Sequence, residues 1–163
     1  HQETKELSQQ YLDTYVKTVD GNFKRQLAAA LSYTKDVETL EALLKEWKNK
    51  DVVKPQDLAM SWYFNFLHHD FTQGRTWTWA RENWDWIKKA LGGDMSFDKF
   101  VIYPANAFKT AERLAEYKAF FEPQLSDMAI SRNISMGIKE IAARVDLITR
   151  EKEAVEKALK ASK

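Results

Sequence analysis

The sequence contains no cysteine, which excludes disulfide bonds, thiolate metal sites and a cysteine nucleophile. Glycine and proline are scarce, with 5 and 3 residues among 163, so few positions favour tight turns or break a helix. No apolar run approaches the roughly 18 residues of a membrane span, and the polar N-terminus "HQETKELSQQ" is unlike a signal peptide. We therefore expect no membrane partner, and the missing cysteines fit a reducing compartment.

The chain also lacks an excess of either charge, because 25 Lys and Arg stand against 24 Asp and Glu. A nucleic-acid-binding protein needs a basic excess or stripe to neutralise phosphates, so we expect no nucleic-acid partner. Hydrophobic residues make up 44% and charged residues 30% of the sequence. This composition is typical of a globular, helix-rich chain, and we interpret residues 1–163 as a single helical domain.

Apolar side chains recur at helical spacing along most of the sequence, which predicts an all-α fold. The expected helices start near residues 4, 22, 36, 55 and 75, so each helix and its loop form half of a hairpin. Such a hairpin of about 35 residues has the size of a helical-repeat unit. The expected architecture is a right-handed, solenoid-like array of antiparallel helix pairs (HEAT/armadillo-like) with about eight or nine helices.

Several residues indicate where these helices begin and end. Asp20-Gly21 is expected to close the first helix, Asp36 to cap the third, and Pro55 to lie in the first turn of the fourth. Ser96 is expected to cap a short helix that Pro104 stops. The remaining helices are predicted over residues 75–91, 106–121, 125–143 and 147–161.

Residues 74–93 read "GRTWTWARENWDWIKKALGG" and place four tryptophans within ten positions. At about 100° per residue, Trp77 and Trp84 share one arc of a helix, and Trp79 and Trp86 share the adjoining arc with Asn83. The charged side chains occupy the remaining third of the wheel. A helix that is apolar over more than half its circumference has neighbours on two sides. We therefore interpret the tryptophans as packing residues rather than a ligand cage or a stacking platform.

Three other clusters could carry chemistry, and in each the structural interpretation is favoured. His68 and His69 point about 100° apart on a helix and rarely share a metal ion, so one ring is expected at the core edge and the other in solvent. Glu112 and Glu116 form a pair that is common on helix surfaces. Glu140 and Arg144 are interpreted as a structural i,i+4 pair. The sequence thus predicts no catalytic residue and no metal ligand in this chain.

Three stretches follow one another along the chain: "GRTWTWARENWDWI" in residues 74–87, "FKTAERLAEYKAFFEP" in residues 108–123, and "ISRNISMGIKEIAARVDLITREKEAVEKALK" in residues 130–160. In this order they resemble the C-terminal helical domain of the zinc aminopeptidase N family. The residues that carry the resemblance are Gly74, Arg75, Trp77, Asn83, Trp84, Phe120 and Phe121.

The resemblance implies a C-terminal fragment of a longer, cytoplasmic enzyme that releases N-terminal residues from peptides. Its partners would be the catalytic and N-terminal domains of the same polypeptide and the peptide substrate, with zinc bound in the parent enzyme. The chain has neither the zinc signature His-Glu-x-x-His nor the motif Gly-x-Met-Glu-Asn. The fragment is therefore expected to hold no cofactor, to be inactive alone, and to enclose the active-site chamber and control peptide access.

The concave side of such an array would face the substrate path. Arg132, Asn133 and Lys139 are the candidates for substrate-channel or interdomain contacts, because arginine and asparagine can bind carboxylates and peptide groups. The alternative is a freestanding helical-repeat module that binds a partner protein or peptide on its concave surface.

Overall fold

In this computed structural model, residues 2–162 are described, and every regular element within them is helical. The all-α prediction is confirmed, and the described residues form nine helices joined by short loops. The chain divides into two compact units, His1–Phe100 and Val101–Lys163; that both belong to one domain stays a prediction. The helices are α1 (Gln2–Lys17), α2 (Gly21–Leu31), α3 (Val37–Glu46), α4 (residues 55–67), α5 (Asp70–Glu82), α6 (Trp84–Leu91), α7 (Lys99–Ala107), α8 (Ala111–Phe121) and α9 (Ser131–Ala161).

In the first unit, α1 packs on α2, α2 on α4, α4 on α5 and α3 on α5. Asp36 caps α3 as predicted, because its carboxylate accepts the Thr39 N–H at 2.8 Å and the Thr39 hydroxyl at 2.7 Å. The prediction for Asp20-Gly21 is wrong. The helix α1 ends at Lys17, and Asp20 instead caps α2 by accepting the N–H of Asn22 at 2.8 Å. A capping aspartate serves the helix that follows it, since its side chain satisfies the free N–H groups of that first turn.

Helix α4 begins at Pro55 as predicted and contains a π-helical turn over Leu58–Tyr63. The wider turn lets the adjacent rings of Trp62 and Tyr63 both be fully buried. Trp62 meets Tyr15 edge-on at 5.0 Å between ring centroids, whereas Tyr63 stacks on Phe100 at 4.6 Å. The π-helical turn therefore links two aromatic contacts of the core, Trp62 with Tyr15 and Tyr63 with Phe100.

The tryptophan stretch forms two helices rather than the single helix predicted over residues 75–91. The chain breaks at Asn83, whose φ of −109° and ψ of 18° are non-helical and whose side-chain amide donates to the Trp79 carbonyl at 2.8 Å. The tryptophans on the apolar side of the predicted helical wheel are nevertheless buried, since Trp77 is 0%, Trp79 4% and Trp84 6% exposed. Only Trp86 is half-buried, so the packing interpretation is confirmed.

The predicted helix boundaries in the second half of the chain need three corrections. Pro104 lies inside α7, which continues to Ala107. Helix α8 starts at Ala111 with Thr110 as its cap, rather than at Asn106. Residues 125–143 and 147–161 do not form two helices, because one 31-residue helix, α9, runs from Ser131 to Ala161. No glycine or proline separates residues 143 and 147, so nothing ends the helix there.

The second unit is held together where α9 crosses α7 and α8. The buried Tyr117 hydroxyl of α8 donates to the Val101 carbonyl of α7 at 3.0 Å. Arg144 of α9 donates to the carbonyls of Ala105 and Phe108 at the end of α7. It does not pair with Glu140, so that prediction is wrong: the unpaired carbonyls of a helix C-terminus attract the guanidinium more effectively than a solvated carboxylate.

The last part of α9 is solvated, as its charged composition predicts. Every described residue from 146 to 162 is exposed, including Leu147 at 50%, Val155 at 56% and Leu159 at 61%. Among the described residues, no helix combines the length and apolar character needed to span a membrane.

Candidate functional site

The candidates Arg132 and Lys139 lie on the exposed surface of α9. They are seven residues apart, which is about two helical turns, so both side chains leave the same face. Neither forms an ion pair with an acidic group in the described part of the chain. This face of α9 therefore presents two cations that are available to carboxylates or peptide carbonyls.

The third candidate, Asn133, points away from that pair. It is half-buried and borders a small cleft of about 120 Å³ between α7 and α9. Asn106 and Glu140 also border this cleft, and sequence reasoning missed both as site residues. The structure thus separates Asn133 from Arg132 and Lys139 and places it with other hydrogen-bonding side chains.

Arg75 of the Gly-Arg pair links two helices of the first unit. Its Nε lies 2.5 Å and its Nη2 3.1 Å from the two carboxylate oxygens of Glu41 in α3, and its Nη1 lies 3.2 Å from Glu82. The hydrogen bond with Glu41 is the main reason that the pKa of Arg75 is raised. A bidentate ion pair fixes the relative orientation of the two side chains as well as their distance. The Arg75–Glu41 pair therefore helps to set how α3 packs against α5.

An open cleft of about 300 Å³ lies beside this ion pair. Sequence reasoning missed Glu41 and Lys45, which occupy one face of α3 because they are four residues apart, and Lys48, which lies just beyond the end of α3. The Arg75 guanidinium in the cleft is already bound by carboxylates, so we interpret it as structural. The lining residues are Glu41, Leu44, Lys45, Lys48, Arg75, Trp79 and Asn83.

We predict a measurable coupling energy between Arg75 and Glu41. The coupling energy is measured by urea unfolding in a double-mutant cycle with Arg75→Met and Glu41→Gln. We expect a coupling energy of about 0.5–1 kcal/mol, which is the upper part of the range for exposed ion pairs, because the contact is bidentate. Both side chains are about one-third exposed, 35% and 38%, which limits the gain. The control cycle uses Asp146 and Arg150, which are 68% and 67% exposed and joined by one contact. Equal coupling in the two cycles would contradict the structural role.

The two histidines have separate surroundings, as predicted. His68 is exposed, and its Nδ1 lies 2.7 Å from the Phe64 carbonyl. His69 is half-buried with its ring centroid 4.0 Å from that of Tyr33, and burial is the main cause that lowers its pKa. Within residues 2–162, no group of three or more His, Cys, Asp or Glu side chains is placed to hold a metal ion.

The glutamates of α8 do not form a paired site. Glu116 lies 2.8 Å from Arg113, whereas Glu112 is exposed. The two phenylalanines of the α8 stretch pack as aromatic neighbours, with the buried Phe121 ring 5.0 Å from Phe120. Gly74 lies inside α5 and is half-buried.

Comparison with known families gives a match over most of the chain. Residues 1–143 match the sequence model of the ERAP1-like C-terminal domain. The matched region includes Arg132, Asn133 and Lys139 and ends shortly before the solvated part of α9.

Individual relatives are named as aminopeptidases. The chain is 62% identical over 154 residues to aminopeptidase N of Lactococcus lactis subsp. lactis and 43% identical over 154 residues to aminopeptidase N of Lactobacillus helveticus. Each alignment covers 94% of this chain but only 18% of the relative. Endoplasmic reticulum aminopeptidase 2 of Bos taurus is 30% identical over 112 residues, which are 68% of this chain and 12% of that protein.

Proposed function

The chain belongs to the ERAP1-like C-terminal domain family, and from that premise we propose that it is the non-catalytic helical region of a zinc-dependent aminopeptidase N. The parent enzyme would release N-terminal residues from peptides in the cytoplasm. The observation that carries the proposal is the family match over residues 1–143 of an all-helical fold. High identity to aminopeptidases N along nearly the whole chain supports it.

In this proposal the chemistry belongs to the rest of the polypeptide. The described residues do not supply a cluster of zinc ligands, so the zinc and the water it activates would be held by the catalytic domain. This chain would enclose the active-site chamber and control which peptides enter. Its partners would be the catalytic and N-terminal domains and the peptide substrate. The alternative of a freestanding interaction module draws no support from the three relatives described above, which are named as aminopeptidases.

The exposed cations of α9 give a test of peptide access. In the full-length parent enzyme, Arg132→Ala with Lys139→Ala is expected to lower kcat/KM for a decapeptide several-fold and to leave hydrolysis of an aminoacyl anilide unchanged. Only the longer substrate reaches beyond the catalytic centre, so only its binding uses these side chains. The measurement is steady-state kinetics on both substrates.

A matched control is available on the same helix. Lys152→Ala with Lys157→Ala also removes two exposed cations of α9, outside the family match, and is expected to change neither substrate's kcat/KM. If both double variants lose decapeptide activity equally, or if the first loses anilide activity as well, a role in access is wrong. Hydrolysis of aminoacyl anilides by the isolated 163-residue chain with added zinc would show that this chain is itself catalytic and would contradict the proposal.

A further inference from the structure

A large cleft in the first unit carries more basic than acidic side chains. Its volume is about 620 Å³, within the range of roughly 300–1,000 Å³ typical of ligand clefts. It opens between the end of α1, the start of α2, the loop before α4 and the π-helical turn. Five basic and two acidic residues line it, although the whole chain has a net charge of only +1. They are Lys17, Lys24, Arg25, Lys50, Lys54, Asp51 and Asp57.

Asp51 and Asp57 offset only part of the positive charge of this cleft. Lys17, Lys50 and Lys54 are exposed, and none forms an ion pair with another described residue. Lys24 lies over the Tyr15 ring at 4.8 Å from its centroid, and Arg25 binds the neutral Asn22 side chain. A concave surface with an excess of one charge concentrates its field and attracts the opposite charge.

Ser61 adds a buried hydrogen-bonding group to the same cleft. The residue is only 5% exposed and borders the cleft, yet no group among the described residues hydrogen-bonds its hydroxyl. It lies in the π-helical turn of α4, and such turns are frequent at functional sites. Because this hydroxyl has no partner within the described part of the chain and borders the cleft, it is available to a ligand oxygen.

The other lining residues favour a peptide over a nucleic acid. Val16, Val19 and Met60 line the cleft and are 44%, 100% and 53% exposed, so these aliphatic groups can contact side-chain methylenes. No lining residue is aromatic, whereas single-stranded nucleic acids are bound largely by stacking on aromatic rings. Asp51 and Asp57 can accept N–H groups, which a peptide backbone offers and a sugar-phosphate backbone does not.

We propose that this cleft binds a linear acidic peptide that is separate from this polypeptide. The lysines of the α3–α4 loop, Lys50 and Lys54, bind its carboxylates, and the Ser61 hydroxyl donates to one of them. Asp57 accepts a backbone N–H of the same peptide. The inference does not depend on the proposed peptidase role, because it rests on the charge and geometry of this cleft alone.

The test measures binding of a fluorescein-labelled octaglutamate peptide to the 163-residue chain by fluorescence anisotropy. Lys50→Glu with Lys54→Glu is expected to weaken binding by about tenfold or more, because it reverses two charges at the contact. Ser61→Ala is expected to weaken it about threefold through loss of one hydrogen bond. Lys152→Glu with Lys157→Glu makes the same change of net charge on the solvated part of α9 and is expected to leave the affinity unchanged. Far-UV circular dichroism verifies that each variant is folded.

Two comparison ligands complete the design. Octaglutamine, which has the same length without charge, is expected not to bind, and raising the salt concentration is expected to weaken octaglutamate binding through screening. Equal losses in the two charge-reversal variants would overturn the proposal, since binding would then reflect net charge only. An oligothymidylate of equal charge that binds as tightly as octaglutamate would overturn the choice of a peptide.

Discussion

Trp47→Ala is expected to lower the free energy of unfolding by about 3 kcal/mol, the largest effect of a single substitution that we predict. The Trp47 side chain is 1% exposed and lies among three other aromatic rings. Its ring centroid is 5.2 Å from Phe66, 5.0 Å from Trp79 and 6.4 Å from Trp62, in edge-on arrangements. Its removal would leave a cavity between α3, α4 and α5 that rigid neighbouring rings cannot fill.

The size of this effect follows from two opposing contributions. Truncating a buried tryptophan to alanine costs roughly 3–5 kcal/mol through lost transfer free energy and the remaining cavity. The Trp47 indole N–H is buried without a hydrogen-bond partner, and removing an unsatisfied donor returns part of that cost, about 1 kcal/mol or more. The expected net loss is therefore at the lower end of the range.

Trp86→Ala provides a control with the same chemical change. Trp86 is half-buried, with its centroid 6.2 Å from Trp79 and Lys48 over its exposed side at 5.8 Å, so we expect a loss of about 1 kcal/mol. Urea unfolding followed by tryptophan emission measures both variants, because all six tryptophans lie in the first unit. Similar losses for Trp47→Ala and Trp86→Ala would contradict the placement of Trp47 at the centre of the aromatic core.

The burial of the tryptophans could be predicted from the sequence because helical periodicity depends only on local geometry. Asn83 changes the chain direction at one residue, yet Trp77 and Trp84 remain on the buried side. Caps such as Asp36 were predictable for the same reason, since the donor and acceptor are three residues apart. The break at Asn83 was not predictable, because asparagine is tolerated inside helices. The hydrogen bond from its side chain to the Trp79 carbonyl is a single local contact that no sequence pattern marks.

Features that depend on contacts distant in sequence were missed. Glu41 binds Arg75 across 34 residues, and no periodicity in a single sequence pairs one glutamate among many with one arginine. Arg144 was assigned to Glu140, four residues away, but it reaches carbonyls 36 and 39 residues away. For the same reason, only two of the three candidate residues on α9 lie together. Arg132 and Lys139 share a face by helical spacing, whereas the cleft beside Asn133 exists only because α7 packs there.

Gly137→Ala is expected to lower the free energy of unfolding by about 2 kcal/mol, although alanine favours helices over glycine by about 1 kcal/mol. A Cβ at this position of α9 would lie 2.3 Å from the Tyr117 hydroxyl and 3.0 Å from the Ala105 Cβ. The buried Tyr117 ring cannot move away without losing the hydrogen bond to the Val101 carbonyl. Overpacking of about 1–3 kcal/mol and an unsatisfied buried carbonyl of about 1–3 kcal/mol therefore outweigh the gain in helix propensity.

Two further substitutions, Gly93→Ala and Tyr117→Phe, identify the cause of this loss. A Cβ at Gly93 has no neighbour within 4 Å, so Gly93→Ala is expected to change stability by less than about 0.5 kcal/mol. Tyr117→Phe removes the atom that the new methyl group would strike, so the double variant with Gly137→Ala should be about 1 kcal/mol more stable than the sum of the single losses predicts. Urea unfolding followed by far-UV circular dichroism measures all four proteins. Strict additivity would contradict close contact between α8 and α9, because the coupling arises only if the Tyr117 hydroxyl occupies the space beside Gly137.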